Sequence, residues 1–597
     1  MAIANPKMLF LLFSYGDVEK AIDIYGIEKL RESKCFALTV ESLEGLIKNN
    51  VRALEYEIYF PEKFANKLNL AAKKWAKDWY KTGNFAAHFE NIDLLALLDL
   101  TLYNYFAKKL FQYFSLRELF LREKPKKIFI GREQSGIRKI FASDYDILTP
   151  VIERAAKDLD IETKRIRGNY LSKKVFNFLP VKLLFSFLEM PSISGDHKKL
   201  PNVKYLFVGN HYHIKNILLL IKKFSKQSLV IGRMKEFRSE LMRNSIRLID
   251  VKSALDISSF ITYIIYKFKF LLTLLFIDTG TLRFLFKFQA FDFFDLFKLK
   301  IYSVFVRDCS NLLVSILQAE KVLKMPGLKL LINVTEDLHI RGFISQAKKI
   351  GIPTLEIEHG FTTGYDSEFT IVDKLAVWGD EPKKIYQSTG FDKNKMVTTG
   401  WLAFEQYKSI KLTQRKIDRD KFTILFIAQD PDGASLLFLK NTPIKSFEIF
   451  FEAISNFKSA KIIVRLHPRA DKRIPTVLAK KYNLKFEFSE KEELSDSLRK
   501  SEIVVSQTTS ATLDALIMHK PVIYLCSMRW PSKYVEDSGA VFEVKTSKEL
   551  LLAIRIIVNK RMTNGMILAQ NNFVENYCNF SQNSIEQTSD LMYEIAK

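Results

Sequence analysis

Residues 503–525 read IVVSQTTSATLDALIMHKPVIYL, and this stretch decides the predicted fold. Residues 503–505 are an apolar run typical of a buried strand, helical spacing follows from Ala511, and residues 522–525 form a second buried strand. A strand, a helix and a strand in succession require a crossover connection. The two strands are therefore expected to be parallel members of an α/β sheet.

The turn between the first strand and the helix is rich in polar side chains. It carries Ser506, Gln507, Thr508, Thr509 and Ser510. Backbone N–H groups are free to donate at a helix N-terminus, and the helix dipole favours negative charge there. Four hydroxyls at this point favour an anion site. The alternative is an ordinary helix cap, which needs only one Ser or Thr.

A basic loop lies one predicted strand earlier in the chain. The apolar run 461–466 leads into His467, which stands between Arg465 and Arg469 and is followed by Pro468. An imidazole and two guanidinium groups can together donate several hydrogen bonds to a phosphate. A phosphate site and a solvated basic turn both fit these residues.

The rhythm of strands and helices extends outward through most of the chain. It forms one series over residues 125–400 and a second series after a polar, basic connector at 408–421. Residues 1–124 show mostly helical spacing, apart from a short apolar strand at 8–13. The prediction is an α/β protein with two doubly wound Rossmann-like domains facing a cleft and an N-terminal, mostly helical extension. Ligands should bind beyond the carboxyl ends of the strands.

These motifs carry a resemblance to a known group of enzymes. Arg465-Leu466-His467-Pro468, the hydroxyl-rich turn and Lys520-Pro521-Val522-Ile523 resemble the donor-binding half of GT-B glycosyltransferases of surface and capsular polysaccharide biosynthesis. Polysialyltransferases, Kdo transferases and CDP-glycerol glycerophosphotransferases share the arrangement, as does the related UDP-N-acetylglucosamine 2-epimerase fold. The resemblance implies a metal-independent transferase without a cofactor.

The same resemblance assigns roles to the donor loops. It implies that the phosphates and sugar of a nucleotide-activated donor are bound by His467, Ser506, Gln507, Thr508, Thr509 and Ser510. Arg465 or Arg469 would assist, and Asp514 would contact the ribose or sugar. The implied domains are a helical extension (1–124), an acceptor domain (125–407) with a Phe-rich helical insertion at about 254–310, and a nucleotide-donor domain (408–597).

The first series of strands supports the resemblance through its strand ends. Residues 351–360 (GIPTLEIEHG), Trp378-Gly379-Asp380 and Thr398-Thr399-Gly400 resemble the corresponding segments of these families. Transfer to a hydroxyl needs a base, and the candidates are Glu336, Asp337 and Glu358, with His359 beside the last. The polysialyltransferase acidic pair is followed by Gly, whereas Leu338 stands here. A helix N-terminal charge is the alternative role for Glu336.

Two functions other than glycosyl transfer fit parts of the sequence. An epimerase-like sugar-nucleotide enzyme is the first alternative, although its Gly-rich opening strand is missing and Ser506-Gln507-Thr508-Thr509 replaces its Asp-Ser-Gly-Gly turn. A non-catalytic, basic protein that binds nucleic acid or membrane is the second. Asp430-Pro431-Asp432-Gly433 reads as a plain turn. His211 and His213 lack acidic or Cys partners nearby, so no metal is predicted.

Composition narrows the class of protein. The chain has 597 residues, a net charge of +24 and 49 Phe, and its hydrophobic fraction of 48% excludes a disordered or low-complexity chain. Its cysteines, Cys35, Cys309, Cys526 and Cys578, are scattered and favour a reducing compartment. The Lys and Arg are dispersed and no RNA-binding signature occurs, so nucleic acid is not an expected partner.

The Phe-rich stretch has two interpretations. Residues 257–275 form an apolar helical stripe, and residues 283–300 mix Phe with Lys and Arg. Such a segment fits either a membrane interface with anionic head groups or the core of the first domain. No apolar run reaches the ~18 residues of a membrane span. We expect a cytoplasmic enzyme, peripheral on the inner face of the membrane, whose acceptor is a glycan or lipid-linked.

Overall fold

The computed structural model describes residues 8–82, 85–133, 147–166, 190–193, 201–232, 237–250, 254–361, 367–408, 417–418, 421–429, 442–468, 470–489, 492–507, 509–525, 535, 538–560 and 562–597. Within these ranges the protein is a mixed α/β fold built on three larger sheets, and every strand pair in them is parallel. The strands are labelled β1 to β18 in chain order.

The first sheet is N-terminal. In the described ranges its spatial order is β3-β2-β1-β4-β5, with β1 Met8–Leu12, β2 Lys34–Ala37, β3 Ala53–Leu54, β4 Lys127–Ile130 and β5 Glu162–Arg165. The loop after β1 starts a helix with a capping box, in which Ser14 accepts from Asp17 N–H. The Asp17 carboxylate also accepts from Arg132 N–H after β4, 3.0 Å away, and so joins the two strand ends.

This sheet corrects the predicted domain boundary at residue 124. Helices do dominate residues 1–124, but β1 pairs with β4 through Met8 and Lys127. The predicted boundary therefore cuts through a sheet. Strands β4 and β5 belong with the N-terminal strands, and among the described residues the next of the three larger sheets begins at Tyr205.

The second sheet is the larger Rossmann-like unit. Its order among the described strands is β8-β7-β6-β9-β10-β11-β12, with β6 Tyr205–Val208, β7 Ser228–Gly232, β8 Arg247–Asp250, β9 Leu330–Asn333, β10 Thr354–Ile357, β11 Lys374–Val377 and β12 Met396–Thr398. The order reverses between β6 and β9. Such a switch point is where doubly wound sheets bind ligands. We call this unit the first lobe.

The third sheet repeats the pattern near the C-terminus. Its described order is β15-β14-β13-β16-β17-β18, with β13 Thr423–Ile427, β14 Lys461–Arg465, β15 Glu487–Phe488, β16 Ile503–Ser506, β17 Val522–Leu525 and β18 Phe542–Val544. Its switch point lies between β13 and β16. This unit is the second lobe, and the predicted pair of doubly wound domains is confirmed.

Helices cover the sheets and provide most of the packing. Their bounds are Tyr15–Tyr25, Ile27–Glu32, Val40–Lys48, Ala65–Thr82, Asp99–Glu123, Thr149–Lys157, His211–Asn216, Leu218–Lys223, Arg238–Arg243, Ile257–Thr273, Thr279–Leu285, Phe294–Ser303, Cys309–Val322, Leu338–Lys349, Asp380–Ser388, Pro443–Ile454, Arg473–Lys481, Leu494–Lys500, Ala511–Ile517, Ser547–Lys560, Asn564–Cys578 and Ser584–Ile595.

The Phe-rich segment packs mainly against the N-terminal unit. Trp75 and Phe106 lie in contact with Phe286 and Phe297, and the Phe106 and Phe297 ring centroids are 4.6 Å apart. Phe293, Phe294 and Phe297 are almost fully buried. For residues 286–305 the prediction of a core position is confirmed, but the core belongs to the N-terminal unit and not to the first domain, because these rings join the helices Ala65–Thr82 and Asp99–Glu123 in one apolar cluster.

The N-terminal unit contacts both lobes. Buried Arg341 of the first lobe donates to the carbonyl of Leu97 and pairs with Asp99 at 2.8 Å. On the other side, Arg473 of the second lobe pairs with Glu41 at 2.6 Å. The N-terminal unit thus contacts both lobes and helps to hold them in place.

The C-terminal helices return from the second lobe to the first. Gln570 donates to the carbonyls of Lys520 and Ala540 in the second lobe. One helix later, Ser584 donates to Glu405 in the segment that links the lobes. The backbone at Tyr577 lies so close to Gly379 of the first lobe that a Cβ there would sit 2.6 Å from it. These helices therefore connect the second lobe to the first lobe and to the segment that links them.

Candidate functional site

The first lobe gathers histidines at its strand ends. His213, after β6, and His359, after β10, have ring centroids 4.7 Å apart. Thr335, after β9, lies with its hydroxyl 3.5 Å from Nδ1 of His213. His359 is exposed to solvent, and partial desolvation of its imidazole by the surrounding protein lowers the pKa of His359 to about 4. The imidazole is therefore neutral at neutral pH and is a weak base.

Glu358 is held rigidly beside this group. It is 3% exposed, and its carboxylate accepts from Trp378 N–H at 2.9 Å while its carbonyl accepts from the Trp378 indole at 2.7 Å. Trp378 itself is fully buried at the end of β11. The predicted Glu358-His359 pair thus lies directly after β10, at the carboxyl edge of the sheet, and Trp378 holds Glu358 in place. The sequence indicated only that Trp378 ends a strand.

Glu336 has a structural set of partners. Its carboxylate accepts from Ile371 N–H at 2.7 Å and pairs with Arg341 at 3.3 Å. Burial raises the pKa of Glu336, and the adjacent Arg341 charge opposes that shift. A carboxylate enclosed by a guanidinium and backbone donors serves the fold, so the geometry favours a structural role over that of a base.

Asp337 is the N-cap of the helix Leu338–Lys349. Its side chain is exposed and accepts from Ile340 N–H at 3.2 Å. The role at the helix N-terminus, which is the predicted alternative for Glu336, is therefore filled by its neighbour Asp337.

On the second lobe, Arg465 reaches across the end of its sheet. Its guanidinium donates to the carbonyl and hydroxyl of Ser489, both at 3.1 Å, and to the carbonyl of Glu492 at 3.0 Å. Burial lowers the pKa of Arg465, while Glu493 and Asp514 raise it through their charges. His467 is half-buried, and its carbonyl accepts from Ala470 N–H.

The hydroxyl-rich turn divides into buried and accessible parts. Ser506 is fully buried and accepts from Thr512, and the Gln507 amide donates to Ser446 at 2.6 Å. Thr509 and Ser510 are half-exposed at the start of the helix Ala511–Ile517. The predicted binders Thr508 and Arg469 lie outside the described residues, as does the turn at 430–433.

Asp514 meets a residue that sequence reasoning missed. Tyr407, in the segment linking the lobes, donates its hydroxyl to Asp514 at 2.5 Å. Burial raises the pKa of Asp514 to about 6, with Tyr407 and the charge of Arg465 opposing the shift. In the sequence, this contact is indicated only by the position of Tyr407 at the predicted junction between the acceptor and donor domains.

The two lobes converge at Cys578. Burial raises the pKa of this thiol, and the charges of Asp514 from the second lobe and Glu358 from the first raise it further. Lys215 and Glu493 form an exposed ion pair across the lobes at 2.7 Å. The two candidate half-sites therefore face each other.

The described residues provide no metal centre. Among them, no group of three or more His, Cys, Asp or Glu side chains is arranged to hold an ion. The structure also shows no helix, within its described ranges, that is both long and apolar enough to cross a bilayer.

Comparison with solved structures finds matches at low sequence identity. A glycosyltransferase from Rickettsia africae is 11% identical with a TM-score of 0.41 and covers 66% of this chain and 99% of its own. Anabaena HepE in complex with UDP and glucose is 11% identical with a TM-score of 0.40 and the same coverage. UDP-GlcNAc 2-epimerase from Neisseria meningitidis bound to UDP-GlcNAc is 13% identical with a TM-score of 0.39, covering 66% and 100%. A likeness at this level assigns no activity.

Sequence comparison adds no relative. No protein-family profile matches the chain. No curated protein matches it either. The function must therefore be argued from the residues of the cleft.

Proposed function

We propose that this chain is a metal-independent glycosyltransferase of surface polysaccharide biosynthesis. It moves a sugar, or a polyol phosphate, from a nucleotide-activated donor to a glycan or lipid-linked acceptor. The observation that carries the proposal is that strand-end loops of the two lobes meet, through the ion pair of Lys215 and Glu493 at 2.7 Å, with Glu358 and Asp514 both near enough to raise the pKa of the Cys578 thiol. Ligands of doubly wound sheets bind at such strand ends.

The second lobe supplies groups suited to a nucleotide donor. The half-buried Arg465 donates to neutral oxygens and makes no ion pair among the described residues, although Glu493 and Asp514 lie near it, so we assign its guanidinium to a donor phosphate. His467, two residues after Arg465, and the half-exposed hydroxyls of Thr509 and Ser510, after β16, add further donors. Asp514, already fixed by Tyr407, is placed to accept from a ribose or sugar hydroxyl.

The first lobe supplies the base. Glu336 and Asp337 are committed to the fold, which leaves Glu358 and His359. One of these takes the proton of the acceptor hydroxyl. In sugar transfer, the acceptor oxygen then bonds to the anomeric carbon, and the bond from that carbon to the donor phosphate breaks with its electron pair leaving on the phosphate oxygen. Positive charge and hydrogen-bond donors stabilise that leaving group.

A donor screen tests the proposal. The purified chain is incubated with CMP-, UDP-, GDP- and CDP-linked donors and a bacterial glycan extract, and nucleotide release is measured. Release that requires the acceptor and disappears in Glu358→Gln or His359→Ala, but persists in the helix-cap control Asp337→Asn, supports the proposal. Conversion of UDP-GlcNAc without an acceptor would favour an epimerase instead. Failure of every nucleotide to bind or shift the melting temperature would overturn both.

A further inference from the structure

The helix Ile257–Thr273 presents a continuous apolar face to solvent. Its exposed side chains, with the Phe that follows, are Ile257 (68%), Ile261 (55%), Ile265 (50%), Phe268 (57%), Leu272 (40%) and Phe276 (80%). Their spacing of three and four residues places the helical members on one stripe of a helix. Soluble proteins rarely expose a contiguous apolar surface of this kind without a partner.

The opposite face of this helix is firmly anchored in the protein. Tyr263, Lys267 and Phe270 are each 2% exposed, and the Lys267 ammonium donates to the Tyr263 hydroxyl at 2.9 Å. The distribution of side chains thus differs from that of an ordinary surface helix, because a lysine is buried while three isoleucines are exposed. Because its inner face already packs against the helix Cys309–Val322, the apolar stripe is a surface feature and not a core face left open.

Exposed cations border the stripe. Lys269 lies over the Tyr266 ring at 4.5 Å, and Lys287 lies over the ring of Phe284, which is 75% exposed. Neither lysine takes part in an ion pair found among the described residues. The nearby Arg283 is neutralised by Asp292 and Asp295. An apolar ridge with free cations at its edge matches an anionic lipid surface.

We infer that this face docks the protein on an anionic lipid bilayer, with the helix Ile257–Thr273 lying in the plane of the interface. The occupant is a bilayer and not a second copy, because a chain of net charge +24 repels itself and is attracted to acidic lipid. Phe276 and Phe284 project from the surface, which suits insertion between lipids. Membrane docking does not depend on the proposed function, but its role does: docking would give the enzyme access to a lipid-linked acceptor.

The position of the helix supports that purpose. It packs on the helix Cys309–Val322, which in turn packs on the helix Leu338–Lys349. The latter begins at Asp337, directly after the first-lobe strand end that carries Thr335. Two packed helices therefore connect the docking face to the proposed acceptor loops.

Vesicle flotation with the full chain tests the inference. Phosphatidylcholine vesicles with and without phosphatidylglycerol are compared for the native protein, for Ile261→Ser/Phe268→Ser/Phe276→Ser, and for the matched control Met242→Ser/Leu552→Ser/Leu568→Ser. The control residues are 63%, 59% and 61% exposed and lie elsewhere. We expect the first variant to lose at least about tenfold in affinity for anionic vesicles and the control to bind like the native protein.

The charge arm uses Lys269→Gln/Lys287→Gln. Binding to anionic vesicles should fall about fivefold per lysine and become less sensitive to salt. Equal binding of the apolar triple variant and its control overturns the inference, as does a dimer in light scattering that the triple variant alone dissociates. Circular dichroism melting confirms that each variant folds. Vesicle binding needs no donor, so its failure is distinguishable from a failure of nucleotide release.

Discussion

Two arginines, Arg341 in the helix that follows β9 and Arg465 at the end of β14, show how differently a guanidinium can be used. Arg341 is 1% exposed and pairs with two carboxylates, Asp99 and Glu336. Arg465 is half-buried and is held by neutral oxygens of Ser489 and Glu492. The first charge is paired with carboxylates, whereas the second is hydrogen-bonded to neutral oxygens among the described residues, with the charges of Glu493 and Asp514 near enough to raise its pKa. The comparison separates a guanidinium that stabilises the fold from one that we propose binds the donor.

The largest expected effect is on the neutralised arginine. Arg341→Met leaves Glu336 buried without its cation and should cost about 3 to 5 kcal/mol of unfolding free energy. Urea denaturation followed by circular dichroism measures this cost. The double variant Arg341→Met/Glu336→Gln should recover much of the loss. An unchanged midpoint in the single variant would contradict the structural role.

At the second lobe the expected effect is on turnover. His467→Ala should abolish nucleotide release, by about a hundredfold or more, because a donor to the leaving phosphate is lost. The melting temperature should stay near that of the native chain, since the side chain is only half-buried. His519→Ala, which removes another histidine of the same lobe, is the matched control. Near-normal release by His467→Ala would remove the donor-site assignment.

Arg465→Gln should act mainly on donor affinity. Loss of a charged hydrogen-bond donor to phosphate should weaken binding by about 1.5 to 3 kcal/mol. Isothermal titration with the donor found in the screen measures this, with exposed Arg473→Gln as the control. If both variants bind alike, Arg465 is only a brace for the Ser489 loop.

The raised pKa of Asp514 predicts a pH dependence of binding. A ribose hydroxyl donates best to an ionised carboxylate, so donor affinity should fall as the pH drops through about 6. The effect on stability has the opposite sign. Because the folded pKa lies above the unfolded value near 3.8, protonation of Asp514 favours the folded state as the pH falls from about 6 towards 4.

Titrations at several pH values check this prediction. Asp514→Asn should bind more weakly at neutral pH and lose the inflection near pH 6. An inflection that survives in this variant would have to come from another group.

The smallest effect is expected at Asp337. Asp337→Ala removes a helix cap and should cost about 1 kcal/mol of stability. Nucleotide release at a temperature where the variant is folded should hardly change. A large loss of turnover in Asp337→Asn, which keeps the cap, would instead return Asp337 to the list of bases.

The sequence predicted both lobes because their buried strands end in recognisable loops, such as His467-Pro468 and Glu358-His359. It missed the N-terminal sheet because β3 has only two residues and long helices separate it from β4. Pattern reasoning saw the helices and not the pairing of β1 with a strand more than a hundred residues away.

The site was predicted less completely for a related reason. Residues next to one another in the chain were found, but partners from distant segments were not. Tyr407 on Asp514 and Arg341 on Asp99 are contacts of this kind. A carboxylate's role depends on such partners, and so Glu336, Asp337 and Glu358 could not be told apart from local sequence.

The return of the C-terminal helices to the first lobe has a consequence for biosynthesis. The backbone at Tyr577 packs against Gly379, and Ser584 bonds to Glu405. A nascent chain can form its N-terminal sheet early, but the cleft lacks these contacts until residues beyond 577 have left the ribosome. The cleft should therefore reach its final geometry only after the helices Asn564–Cys578 and Ser584–Ile595 have been synthesised and have docked on the first lobe.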